Sequence, residues 1–72
     1  MLMGKHTATV QHIMPVSTHG QKNYRVQLEI DTMPGQPLQA QFASQAFDET
    51  IVPGDKVEVN FVVGVAVEIV KK

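Results

Sequence analysis

Apolar and polar residues alternate with period two along most of this chain. In Tyr24–Asp31 the alternation is unbroken, with Tyr24, Val26, Leu28 and Ile30 on one side and Arg25, Gln27, Glu29 and Asp31 on the other. Successive side chains of a strand point to opposite faces, so the segment predicts a strand with one buried and one wet face. On a helix the same apolar residues would scatter around the circumference. Leu38–Phe42 repeats the pattern, and so does Lys56–Phe61, with Val57, Val59 and Phe61 inward. A first strand is expected over Lys5–Ile13, where Ala8 and Val10 share a face with His6 and His12. A fifth is expected over Ala66–Lys71, a stretch rich in the β-branched residues that strands favour.

The punctuation between these segments fits five strands. Pro15–Asn23 holds Pro, Ser, Thr, Gly and Asn with little periodic apolar content and reads as a loop. Met33–Pro37 and Val52–Asp55 place Pro beside Gly, the pairing that fixes one φ and frees the next, and both read as turns. Gly64 marks a tight reversal between the fourth and fifth strands. Ser44–Glu49 is the one segment that reads as a helical turn, with Ser44 placed to cap it and Phe47 where a capping box would put Glu. A single domain over residues 1–72 is expected: all-β, a small five-stranded OB-like antiparallel barrel with one short helical turn between the third and fourth strands. A flat open sheet of this size would leave its edges exposed.

Composition narrows the function classes. Six Lys+Arg against seven Asp+Glu give a formal charge of −1 and argue against binding nucleic acid or anionic membranes by bulk electrostatics. There is no cysteine, hence no disulfide framework, thiol nucleophile or thiolate zinc site. The apolar run Phe61–Val67 is far shorter than the ~20 residues that span a bilayer, and the first residues lack the pattern of a signal peptide. A cytoplasmic domain without membrane insertion is expected.

Four segments resemble the TOBE domain, the small OB-like module beside the ATPase subunits of some ABC importers, and its molbindin-like relatives. They are Tyr24–Leu28, Leu38–Phe42, Val52–Val57 and Val67–Val70, and the resemblance runs from about Thr7 to Val70. It implies an OB-like barrel acting as a non-enzymatic binding or regulatory module, with a transporter-type ATPase as a possible partner and a small ligand at a subunit interface. Molbindin-like domains hold an oxyanion with serines and a lysine before the last strand. This chain has Val62-Val63-Gly64-Val65 there, leaving only Lys5 and Thr7, near the start, as groups for an anion.

The residues offer little for catalysis or for a cofactor. His6 and His12 are six apart, roughly 20 Å along an extended strand, too far to share one metal ion. Ser17 and His19 lie in the expected loop without a defined nucleophile–base geometry, and the five glycines are too dispersed to cradle phosphate. No enzyme and no cofactor is expected. The alternative reading is an OB-type single-strand nucleic-acid binder, with Lys22, Arg25, Gln27, Gln39 and Gln41 as a polar binding face. Such proteins stack bases on exposed aromatics, whereas Tyr24, Phe42 and Phe61 fall on inward phases and Phe47 on the helical turn. Nucleic-acid binding is therefore the less favoured reading. Once each strand's inward face is filled, Ile13, Val62, Val63, Val65 and Val70 are left over. Consecutive Val62 and Val63 cannot both point inward, so an exposed apolar patch and a homo-oligomer are expected.

Overall fold

The computed structural model describes residues 2–72. Five strands form one antiparallel sheet: β1 (Gly4–Thr18), β2 (Gln21–Ile30), β3 (Leu38–Ala43), β4 (Lys56–Val62) and β5 (Val65–Lys71), in the spatial order β3-β2-β1-β4-β5. Four successive antiparallel pairings leave β3 and β5, the two edges, running the same way. The sheet curls until Cα atoms of these edges come within 8 Å, but no hydrogen-bonded ladder joins them. Among the described residues no helix is long and apolar enough to cross a membrane.

The core lies on the concave side and is what the alternation predicts. Val26, Leu28 and Ile30 of β2 and Val57, Val59 and Phe61 of β4 are buried, with Ala8, Val10, Phe42 and Ile69 facing them. Ile51, in the segment before β4, joins them from outside the alternating stretches. Its backbone N–H donates to the Asp48 carbonyl, which turns the side chain inward. The Pro53-Gly54-Asp55 turn is stitched to β1: the Gly54 N–H donates to the Val10 carbonyl and the Val10 N–H to the Asp55 carbonyl. Gly54 takes a positive φ of 96° there, a conformation other residues rarely adopt.

Three local expectations are corrected. Residues Pro15–Asn23 are not a loop: β1 and β2 continue as a hairpin arm, with Ser17 opposite Lys22 and Thr18 opposite Gln21, closed by His19 and Gly20. Beyond Thr9, β1 pairs with β2 but no longer with β4, so Pro15 sits on an edge where a missing N–H is tolerated. The helical turn is a 3₁₀ turn over Ser44–Ala46, and Ser44 does not cap it; the Ser44 hydroxyl donates to Gln45 Oε1 instead. The phase of β1 also flips. The register shifts between Val10 and His12, so Gln11 is an extra residue, His12 lies opposite outward Gln27, and Ile13 lies opposite buried Val26. Ile13 consequently packs against the core and drops out of the surplus apolar set.

Candidate interaction surface

Val62, Val63, Val65 and Val70, the four valines left over by the pattern, are exposed at 50%, 58%, 62% and 43%. Three of them surround the β4–β5 reversal. Val62 pairs with Val65 across it, and Val63 and Gly64 are its central residues. Both central residues have positive φ, 50° and 79°, as a two-residue type I′ hairpin requires. The right-handed twist of paired strands selects that turn, and Asn-Gly fills it without strain. A β-branched residue at positive φ is an outlier. The Val63 backbone is strained while its side chain stands in water.

Met3, 58% exposed, completes the group. Gly4 pairs with Phe61, and continuing that register sets Met3 beside Val62. The Gly64 N–H donates to the Leu2 carbonyl at 2.8 Å, tying the hairpin tip to the segment before β1. Val62 of β4 and Val65 of β5 thus form a row on the convex side that Met3, in the segment before β1, extends, with Val63 at its end. Val67 is also exposed, outside the set that the pattern leaves over. The β4–β5 register shifts between Asn60 and Phe61, leaving Val67 as a bulge between inward Ala66 and buried Ile69. The sequence carries the signal: Ala66 and Ile69, like Val10 and Ile13, are inward residues three apart instead of two.

The polar face is assembled only in part. Arg25 pairs with Gln41 and Gln27 with Gln39, so these four share the convex side of β2 and β3, where Gln27 also donates to Gln11 Oε1. Lys22 is not with them. Its position has the inward phase of Tyr24, and its ammonium lies 5.3 Å from the centre of the Tyr24 ring. Its hydrogen bond with the Tyr24 hydroxyl, then that group's charge and the charge of Glu49, raise the Lys22 ammonium above its ordinary pKa. Tyr24 in turn donates to Glu49 Oε1 and stacks on Phe47 with ring centres 4.4 Å apart. All four aromatic rings are buried, so the polar face offers no platform for a base.

Two shallow clefts follow the seam between the sheet edges. One, about 290 Å³, lies between Leu38–Gln41 and Gly64–Ala66; the other, about 430 Å³, lies between Gln45–Asp48 and Val67–Val70. Asp48 at the second is held below the usual carboxylate pKa by hydrogen bonds from the Thr50 hydroxyl, 2.6 Å, and the Thr50 N–H, 2.9 Å. Both donors belong to a local turn and use the carboxylate to shape the chain. Among the described residues no charged side chain is buried, and no three His, Asp or Glu side chains come together. His6 is spent locally, with Nε2 2.9 Å from the Met3 carbonyl oxygen and its ring edge-on to Phe61. No family model, no curated protein and no solved structure matches this chain.

Proposed function

We propose that this chain is a non-catalytic interaction module: an OB-type barrel, open along the β3–β5 seam, that associates with a protein chain through the Met3, Val62, Val63 and Val65 corner. The strand order supports the barrel, because pairing the two edges would close the cylinder with the 3₁₀ turn lying between β3 and β4. One observation carries the function. Val63 holds a strained backbone to present an aliphatic side chain to solvent, amid three other exposed apolar residues. Nothing in the fold needs a valine there, and strain retained at an exposed site points to contact with something else.

This is the role that resemblance to TOBE domains implies, with a transporter-type ATPase as one class of partner. The surface favours a second copy, since it is apolar and the chain is close to neutral, so like-charge repulsion is small. An oxyanion at this site has no support, because Val62, Val63 and Val65 offer neither hydroxyl nor cation. A single-strand nucleic-acid binder is disfavoured by the buried rings. Sedimentation of the wild type between about 5 and about 500 µM tests the proposal against Val63→Lys. The wild-type mass should rise with concentration while the variant stays monomeric with an unchanged far-UV spectrum. A wild type that is monomeric throughout, or a variant that assembles equally well, overturns it.

A further inference from the structure

The convex face around β4 carries a second pattern beside the apolar row. Lys5 pairs with Asn60, and Asn60 pairs with Glu68, so the next row reads base, amide, acid across β1, β4 and β5. The apolar row reads Met3, Val62, Val65 in the same order. Each row is self-complementary about β4. A two-fold axis lying in the contact plane along that strand sets β1 of one copy over β5 of the other. Lys5 then faces Glu68 of the other copy, twice. Asn60 meets Asn60, Met3 meets Val65, and Val62 meets Val62.

Charge supports this occupant. Among the described residues the other acids each take a partner: Asp31 pairs with Lys56, Asp55 with Lys71, Glu58 with Lys5, and Glu29, Asp48 and Glu49 each accept a hydrogen bond. Glu68 has none. Lys5 reaches Glu58 only at 3.8 Å and its side chain is 67% exposed, which leaves it free to engage a second carboxylate. We propose that this face is an isologous dimer interface between two copies of the chain, with the two-fold axis along β4 and Lys5–Glu68 pairs on either side of it. The inference rests on the association proposed above and names its partner and geometry.

Size sets the expected strength. The exposed apolar atoms of four side chains amount to a few hundred Å², below the roughly 800 Å² per partner of a standard interface. The dimer is therefore weak and concentration-dependent. Farther along the axis Glu58 faces its copy. There Lys5 of each copy, 3.8 Å from its own Glu58 carboxylate, offsets the like charges.

Charge reversal and cysteine trapping test the axis. Lys5→Glu and Glu68→Lys each set like charges opposite one another and should weaken association about tenfold or more in sedimentation. The double variant restores the pairs and should return to within about threefold of wild type. The chain has no cysteine of its own, so one introduced thiol reports one position. Val62→Cys lies on the axis and should form a disulfide-linked dimer on mild oxidation. Val70→Cys, similarly exposed but one strand away, is offset sideways from its copy by about 10 Å in addition to the separation of the two sheets, beyond disulfide reach, and should remain monomeric. Double-variant association no better than that of the single variants overturns this axis even if the wild type self-associates. So does trapping by the Val70→Cys variant and not by the Val62→Cys variant. A wild type that never associates overturns the inference together with the reading beneath it.

Discussion

Leu28→Ala is expected to remove about half of the stability of this protein. Leu28 is fully buried in the middle of β2, between Val10 of β1 and Leu38 of β3. Truncating a buried leucine costs about 2–5 kcal/mol, from lost transfer energy and from the cavity left behind. A domain of this length has only about 4–11 kcal/mol in total. Each kcal/mol is worth roughly 4–8 °C in Tm at this size, so a fall of well over 10 °C is expected by calorimetry or circular dichroism. Gln27→Ala, one residue away on the wet face, should stay within about 0.5 kcal/mol of wild type. Similar losses for the two variants would contradict the assignment of faces on which the whole fold is built.

Val63→Asn is expected to act in the opposite direction. It creates Asn-Gly at the β4–β5 reversal, the pair that fits a type I′ turn, and relieves a β-branched residue at positive φ. Left-handed backbone costs an ordinary residue about 1–2 kcal/mol, and asparagine less. A gain of about 1 kcal/mol, or roughly 4–8 °C in Tm, should follow, measured where the wild type is monomeric. The same change removes an aliphatic side chain from the proposed contact, so the stabilised variant should associate more weakly. Stability and association moving apart would separate the role of Val63 in binding from its role in the fold. A destabilised variant would mean that the valine serves the turn itself.

The buried faces of β2, β3 and β4 are legible in the sequence because alternation is a geometric consequence of the strand and nothing interrupts it there. The convex valines are legible by subtraction, once the inward positions are filled. What escapes the pattern is wherever one residue is added to or taken from the period. Gln11 and Val67 each bulge, and each hides a change of face: the first sends Ile13 inward and His12 outward, the second exposes Val67. The β1–β2 arm escapes for a different reason. Pro15, Ser17 and Thr18 have loop chemistry, yet the arm beyond Thr9 needs pairing on one side only, and there a proline costs no ladder bond. Charge groups Lys22 with Arg25, but its phase is that of Tyr24, and phase decides where it lies.

The most direct test of the interface is a dilution series of amide correlation spectra on the uniformly ¹⁵N-labelled chain, from about 1 mM to about 20 µM. Concentration-dependent shifts should be confined to Met3–Lys5, Asn60–Ala66 and Glu68, with the concave core and the Arg25–Gln41 face unmoved. Spectra that do not change with dilution, or shifts gathered on β2 and β3, would contradict the account.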